Sequence, residues 1–165
     1  MTLHLAWAGY DAAKFACTNW HYSRSLPSSR LMIVGVWEAG EFKGVVTFSR
    51  GATPRIGSPY NLTQMEVCEL TRVALRQHDA PVSRIVAIAL KMLRRKCPDL
   101  KLVISYAAGE HGHHGGIYQA GGWIYEGPME SHGFVIKGRF THCRSIGAKS
   151  VSYTHLRAHE TRGNL

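Results

Sequence analysis

The sequence predicts a mixed α/β domain with a central β-sheet flanked by helices. Strand-like runs of β-branched residues alternate with helical segments, and two of these runs flank a hairpin turn. In the middle of the chain a strand, an amphipathic helix and a second strand follow one another, which predicts parallel pairing with a right-handed crossover. A chain of 165 residues with 45% hydrophobic content is long enough for one well-buried domain.

The first part of the chain predicts a helix and a β-hairpin. Apolar residues recur with helical spacing over residues 11–22 and stop before the turn-rich segment SRSLPSSR. Residues 31–37 and 42–48 are strand-like runs joined by the turn EAGE. The loop at 51–61 is rich in proline and glycine, and its length predicts that it covers or shapes a site.

Residues 65–75 predict the central strand, because their side chains alternate between two faces. Regular alternation places Glu69 on the face opposite Arg72. A buried guanidinium needs a partner for its permanent charge. We therefore expect Arg72 to contact Glu66 or a ligand phosphate.

The segment after this strand predicts the amphipathic helix. Its apolar stripe has a spacing of 3.6 residues, begins at Pro81 and stops at Cys97. Basic residues at its carboxyl end oppose the negative end of the macrodipole. The remaining predicted elements are a strand at 100–107, a short helix at 115–120, and strands at 123–125 and within 134–140.

Composition limits the class of protein and its partners. The formal net charge of +9 favours a polyanionic partner such as nucleic acid, and a basic face that only aids solubility is the alternative. No apolar run approaches the roughly 20 residues of a membrane helix, and the amino terminus lacks a signal-peptide pattern, so we expect a cytoplasmic protein without a membrane partner. The cysteines are widely spaced, which predicts neither a zinc site nor a disulfide framework.

Residues 151–165 differ from the preceding chain. They lack apolar periodicity and are rich in histidine, arginine and threonine. The segment VSYTHLRAHET resembles the conceptual translation of a transposase-type sequencing adapter. We therefore predict a single catalytic domain at 1–150 and a non-native tail at 151–165, whose histidines are not interpreted as ligands.

The loop at 76–80 predicts a phosphate-binding position. It leads into the amphipathic helix, and unpaired amides at a helix start bind anions together with the macrodipole. The loop has no glycine-rich cradle, so similar amides would occur in any strand–loop–helix connection. A coenzyme pyrophosphate is assigned to the following residues around the helix start: Arg76, Gln77, His78, Ser83 and Arg84.

The most informative stretch is 101–127, KLVISYAAGEHGHHGGIYQAGGWIYEG, which combines a strand, a turn rich in glycine and histidine, and a helix carrying Tyr118. Its glycines let the backbone approach a ligand, as in an acyl-CoA site. In order, ELTRVAL, VISYA and IYQAGGWIYEG resemble the core of the GNAT acyltransferase superfamily. More narrowly, NWHYSRSLP, CELTRVAL and SYAAGEHGHHGGIYQAGGWIYEG resemble the bacteriophage Mom DNA-modification proteins, a divergent GNAT-like family.

This resemblance implies a GNAT-like fold and transfer of a small acetamido or carbamoylmethyl group to N6 of adenine in DNA, which protects phage DNA from restriction. Acetyl-CoA or a related acyl donor is the implied cofactor, with an iron ion activating the weakly nucleophilic amine. Double-stranded DNA is the implied partner, and a homodimer is left open. Base flipping would require an aromatic near the site, for which Trp20, Tyr60 and Tyr106 are candidates.

The matching positions give roles to individual residues. His21 and Tyr22 fall on the family's proposed metal or catalytic pair, and Tyr118 falls where many GNAT enzymes place a general acid. Arg72 and Ser105 complete the catalytic assignment. Each position also has a structural interpretation: a helix end for the His-Tyr pair, a core aromatic for Tyr118 and a salt bridge for Arg72.

DNA contacts are assigned to basic residues and one loop histidine: Arg50, Arg55, His113, Lys137 and Arg139. The histidines within 111–114 form a loose pattern for a metal site, because they lack a fixed carboxylate or cysteine partner. Where the family usually has Asp-Pro, this chain has Ala108 and Gly109. A carboxylate that could act as base or ligand is therefore absent, and Glu110 is the nearest substitute.

Two other functions remain open. The first is a conventional acyl-CoA-dependent N-acetyltransferase that acts on a small amine or a protein with Tyr118 as general acid. The second is a catalytically inactive DNA-binding module, which the missing carboxylate at Ala108 suggests. Restriction-resistant plasmid DNA would separate the modification enzyme from the acetyltransferase, and an inactive module would bind DNA without changing its mass.

Overall fold

A computed structural model describes residues 2–51, 53–107, 115–127, 133–136 and 139–142. The chain divides into two compact units, residues 1–124 and 125–165. The tail predicted at 151–165 and two of the predicted DNA contacts, His113 and Lys137, lie outside the described residues.

The first unit carries most of the described secondary structure. Its elements are β1 (Leu3–Trp7), α1 (Tyr10–Trp20), β2 (Leu31–Glu38), β3 (Glu41–Ser49), a 3-10 turn (Ser58–Tyr60), β4 (Val67–Leu75), α2 (Val82–Lys96), β5 (Leu102–Ser105) and α3 (Gly116–Gln119). In the second unit, β6 (Gly133–Ile136) and β7 (Arg139–His142) pair as an antiparallel hairpin. None of the helices in the described ranges is long and apolar enough to span a membrane.

The first unit is built on a five-stranded mixed sheet. The strand order is β1-β2-β3-β4-β5, with antiparallel pairing up to β4 and parallel pairing between β4 and β5. The predicted mixed α/β class is therefore confirmed, including the strand–helix–strand unit with α2 as its crossover. The narrower prediction of a GNAT-like fold stays a prediction.

Two apolar clusters pack on the sheet. One joins the stripe of α2 to β2, β3 and β4, through Val34, Val46, Phe48, Leu70, Ile85, Val86, Ala89 and Leu93. The other joins α1 to the sheet through Ala13, Ala16, Cys17, Ile33, Val45 and Ala74. Burying one large aliphatic side chain contributes about 1.5–3 kcal/mol, so the 3.6-residue stripe of α2 determines where this helix docks.

The structure differs from the prediction at two predicted elements and at one strand that was not predicted. The unpredicted strand β1 is a short, largely half-exposed edge strand whose centre carries Leu5 beside the exposed His4. The predicted strand at 123–125 is wrong, because the Trp123 amide donates to the Tyr118 carbonyl at 3.1 Å and closes a turn through Gly122. The predicted helix at 11–22 ends at Trp20, since His21 is extended (φ −103°, ψ 140°).

A β-bulge at Thr71 decides which side chains share a face of β4. Across the β3–β4 ladder Thr47 lies opposite Arg72 and Ser49 lies opposite Glu69, while Thr71 is the extra residue between. Because Thr47 and Ser49 lie two positions apart on β3, Glu69 and Arg72 share one face. The predicted placement of these two residues on opposite faces is therefore wrong.

The strands β4 and β5 have unequal lengths, which positions the candidate site. Their ladder ends at the pair Leu70 and Ser105, and β4 continues to Leu75. After Ser105 the chain leaves the sheet towards α3. The carboxyl end of β5 therefore lies beside the middle of β4, and ligands of open α/β sheets bind at the carboxyl ends of strands.

Candidate active site

The side chains of Ser105 and Tyr118 meet at the end of β5. The Ser105 Oγ atom lies 2.7 Å from the Tyr118 hydroxyl and 3.1 Å from the Leu70 carbonyl oxygen. A serine hydroxyl has one proton, so it donates to one of these oxygens at a time. When Ser105 donates to Leu70, the Tyr118 hydroxyl donates to Ser105, and the three oxygens form a continuous hydrogen-bonded chain.

The local sequence fixes the Tyr118 ring. Gly115 has a φ of 70°, which glycine adopts without strain, and the helix α3 begins at the next residue. The Tyr118 ring packs against the apolar cluster that joins α2 to the sheet. It also packs against the Trp123 ring, whose centroid is 5.2 Å away at an interplanar angle of 65°. Tyr118 is thus both packed as a core aromatic and aligned with Ser105.

The environment keeps the Tyr118 hydroxyl protonated at neutral pH. Burial raises the pKa of Tyr118 above its ordinary value of 10.0, and the nearby groups of Tyr22 and Glu69 raise this pKa further. The hydrogen bond from Ser105 acts in the opposite direction, because it stabilises the phenolate. A neutral phenol in this position can donate a proton to a bound molecule.

His21 and Tyr22 lie beyond the carboxyl end of α1. Their ring centroids are 4.2 Å apart at an interplanar angle of 34°, so the two rings stack rather than point apart as on a helix. His21 is buried and Tyr22 is 49% exposed. Tyr22 is close enough to Tyr118 to raise its pKa, so the motif near residue 20 and the motif near residue 118 lie near each other in the fold.

The contacts of His21 define its neutral tautomer. The backbone N–H of Ser23 donates to His21 Nδ1 at 3.1 Å, and Ser23 Oγ lies 2.8 Å from the same nitrogen. Because Nδ1 accepts, Nε2 carries the proton of the neutral ring. A metal ion would need a ring nitrogen with a free lone pair, so binding through Nδ1 would break the Ser23 bonds.

The described part of the chain does not offer a ligand set for the implied iron. No three His, Cys, Asp or Glu side chains are grouped there closely enough to hold a metal ion. Iron stays a prediction from the resemblance.

Arg72 does not have the predicted ionic partner. Glu66 instead accepts bonds from Thr63 and pairs with Lys101, whose contact is the main cause of a Glu66 pKa of about 2. The Arg72 guanidinium donates to the Thr71 carbonyl at 2.7 Å, and its Nε is buried without a hydrogen-bond partner. The expected pairing with Glu66 is wrong, and Arg72 keeps an unsatisfied buried donor.

Glu69 is a buried carboxylate near Tyr118 to which the sequence motifs gave no role. Its carboxylate is buried on β4, one position before the last β5 contact, and it acts on the pKa of Tyr118. A carboxylate is rarely buried without a function or a partner. The acidic side chain between the apolar residues Cys68 and Leu70 of β4 is the signal that could have identified it.

The predicted phosphate loop already holds a carboxylate. Glu38 accepts bonds from the amides of Asp79 at 2.9 Å and Ala80 at 2.7 Å, and these bonds lower the Glu38 pKa. A phosphate that used the same amides would have to displace Glu38. Among the assigned coenzyme residues, Arg76 pairs with Glu41.

The other coenzyme residues lie close to that loop. His78 Nδ1 lies 2.8 Å from the Ala80 carbonyl oxygen, and Ser83 and Arg84 fall in the first turn of α2. Gln77 precedes them in the loop. The coenzyme assignment of this region stays a prediction.

The predicted DNA contacts and stacking aromatics occupy several positions. Arg50 and Arg55 are exposed after β3, and Arg139 begins β7. Among the aromatics, Tyr106 directly follows Ser105 and is 37% exposed, whereas Trp20 packs between Phe15 and Phe42 beside His21. Tyr60 ends the 3-10 turn. Tyr106 and Trp20 are therefore the stacking candidates that are sequence neighbours of assigned site residues, Ser105 and His21 respectively.

Together, the fold and this cluster define a mixed α/β protein with a candidate proton-transfer site at the end of a parallel strand. The model of the Mom protein family matches residues 2–164, and the chain belongs to this family. It is similar to the protein named methylcarbamoylase mom of Escherichia phage Mu, with 29% identity over 150 residues. That alignment covers 86% of this chain and 62% of the phage Mu protein, so the chain spans less than two thirds of its relative.

Proposed function

We propose that this chain is a DNA modification enzyme that transfers a small acetamido or carbamoylmethyl group to the N6 amine of adenine. Its family membership and its similarity to a protein named methylcarbamoylase support this class of reaction. The observation that carries the proposal is the hydrogen bond between Ser105 and Tyr118, with Tyr22 close enough to act on the phenol. In a phage such a reaction would protect DNA from restriction.

The proposed reaction forms a carbon–nitrogen bond at N6 and breaks the bond between the group and its carrier. The leaving atom of the carrier takes the proton of the Tyr118 hydroxyl, and Ser105 stabilises the resulting phenolate by donating a hydrogen bond to it. The adenine amine loses one proton in the same reaction. We assign the buried Glu69 carboxylate as the acceptor of that proton. After product release the proton returns through solvent from Glu69 to the Tyr118 phenolate, so protons and charge balance over one turnover.

Adenine must leave the base stack to reach this site. Tyr22 and Tyr106 are each partly exposed and belong to segments that carry site residues. An aromatic face stacks on a flipped base and compensates part of the unstacking free energy. We propose that these two rings hold the flipped adenine, and that an acyl-CoA-related molecule is the donor of the group.

The experiment that tests this function is nucleoside mass spectrometry of plasmid DNA from cells expressing the full chain. The expected result is a new adenosine species, absent from cells with the empty vector, together with resistance of the plasmid to restriction digestion. Unmodified DNA in the presence of soluble, folded protein would contradict the proposal.

A second measurement separates the two alternative functions. Purified protein is mixed with acetyl-CoA and small amines without DNA, and release of the free thiol is followed. Thiol release without DNA modification would assign an ordinary N-acetyltransferase. DNA binding without either reaction would assign the inactive binding module.

A further inference from the structure

The outward face of α2 is a stripe of positive charge. Arg84, Lys91, Arg94 and Arg95 are all exposed, and together with Ala87 they lie within an arc of about 100° around the helix axis. These four basic side chains are called the α2 stripe below. They extend along roughly 16 Å of helix, and the helix contains no acidic residue.

The helix macrodipole explains only part of the α2 stripe. Arg94 and Arg95 lie in the last turn, where a cation is favourable. Arg84 lies in the first turn, where the positive end of the dipole disfavours a cation. Lys91 and Arg95 are four positions apart, and like charges at this spacing destabilise a helix. The stability of α2 alone would therefore favour fewer positive charges than it carries.

The α2 stripe also has no acidic partner within the described residues. The ion pairs found there join Lys43 and Arg76 to Glu41, and Lys101 to Glu66. Lys91, Arg94 and Arg95 are consequently available to an external polyanion, and Arg84 is available to it when it does not hold the predicted coenzyme pyrophosphate. Duplex DNA carries one charge per about 1.7 Å of its axis, so a stripe of this length spans several phosphates.

We propose that the α2 stripe binds the phosphate backbone of duplex DNA. This inference rests on the proposed function, which makes DNA the substrate. Tyr118 packs against the same apolar cluster as α2, which places both on one side of the sheet. An anionic membrane fits less well, because the apolar face of α2 is buried against the sheet and interfacial helices insert theirs into lipid.

The test measures binding of the full chain to a fluorescein-labelled DNA duplex at several sodium chloride concentrations. The stripe variant is Lys91→Gln/Arg95→Gln, and the matched control is Lys14→Gln/Arg30→Gln, which removes the same charge from exposed positions outside α2. Each phosphate contact contributes about 0.9 to the slope of log K against log salt. We expect the slope of the stripe variant to be shallower by about 1.8, and that of the control to match the unmodified protein.

Each other outcome has a defined meaning. Equal changes in both variants would show a general charge effect and overturn the proposal, as would unchanged binding by the stripe variant. Unchanged DNA binding with loss of binding to phosphatidylglycerol vesicles would assign the stripe to membranes instead. If the unmodified chain does not bind DNA at any salt concentration, the proposed function itself fails. Nucleoside mass spectrometry measures DNA modification independently, so a failure of the stripe proposal can be distinguished from a failure of the proposed function.

Discussion

The Ser105 hydroxyl lies 2.7 Å from the Tyr118 hydroxyl, which joins the end of β5 to the helix α3 across 13 positions of sequence. This bond gives a partly buried phenol a hydroxyl partner that can donate or accept a hydrogen bond. The Leu70 carbonyl oxygen, 3.1 Å from the same serine, continues the chain into the central strand. The proposed chemistry depends on this alignment, and several measurements test it.

Removal of the serine hydroxyl should reduce the reaction rate modestly. A typical intramolecular hydrogen bond contributes about 0.5–1.5 kcal/mol, so Ser105→Ala should slow DNA modification about 2- to 13-fold. The Tyr118 phenol should also titrate at higher pH in this variant, because the Ser105 bond lowers its pKa. The exposed Ser29→Ala is the matched control and should retain the full rate. A Ser105→Ala enzyme with unchanged rate would remove the serine from the mechanism.

The pH dependence of the reaction should reflect a protonated tyrosine. Because burial raises the pKa of Tyr118 above 10.0, the Tyr118-dependent part of the rate should remain constant through neutral pH and fall only at pH values above 10. Initial rates across this range, measured with the folded state checked by circular dichroism, provide the profile. An alkaline limb with a midpoint near pH 8 would identify a different proton donor.

The carboxylate that occupies the α2 loop should stabilise the fold in a pH-dependent manner. The amides of Asp79 and Ala80 lower the Glu38 pKa below its ordinary value of 4.5, so this stabilisation is complete above that value and is lost as pH falls towards the folded-state pKa. Glu38→Gln should therefore unfold at lower temperature at pH 7, and the difference should shrink by pH 3.

Thermal unfolding at both pH values measures this difference. The control is Glu41→Gln, because Glu41 is exposed and its ion pairs contribute little to stability. Equal unfolding temperatures for Glu38→Gln and the unmodified chain at pH 7 would contradict the structural role of Glu38.

Arg72 should be more important for activity than for stability. Its Nε is a buried donor without a hydrogen-bond partner, and such a group costs about 1–3 kcal/mol. Arg72→Met should therefore retain or increase the free energy of unfolding in urea. DNA modification should be lost, because the resemblance assigns Arg72 a catalytic role. A strongly destabilised Arg72→Met protein would show that the guanidinium is mainly structural.

Residue patterns predicted regular elements better than they predicted the contacts around the candidate site. His21, Tyr22, Ser105 and Tyr118 were assigned from sequence motifs, and local periodicity was sufficient to predict α2. The β-bulge at Thr71 could not be predicted, because an extra residue in a ladder depends on the partner strand rather than on the alternation of β4 itself.

Long-range polar contacts were the second feature that could not be predicted from the sequence. The Glu38 carboxylate binds amides that lie 41 and 42 positions later, and no local pattern connects the end of β2 with that loop. The short strand β1 was missed because half-exposed edge strands have weak apolar patterns. Helices and strands follow from local residue spacing. The carboxylate that binds the amides before α2 comes from a distant strand, so its position depends on the assembled sheet.

The most direct test of the proposed site is nucleoside mass spectrometry of plasmid DNA from cells that express the full chain, Tyr118→Phe or Tyr10→Phe. Tyr10 is 61% exposed at the start of α1 and serves as the matched control for loss of a phenolic hydroxyl. Loss of a general acid lowers a rate by about 10²–10⁴-fold. We predict a new adenosine species with the unmodified chain and with Tyr10→Phe, and its loss with folded Tyr118→Phe; equal modification by Tyr118→Phe would contradict the central role of this tyrosine.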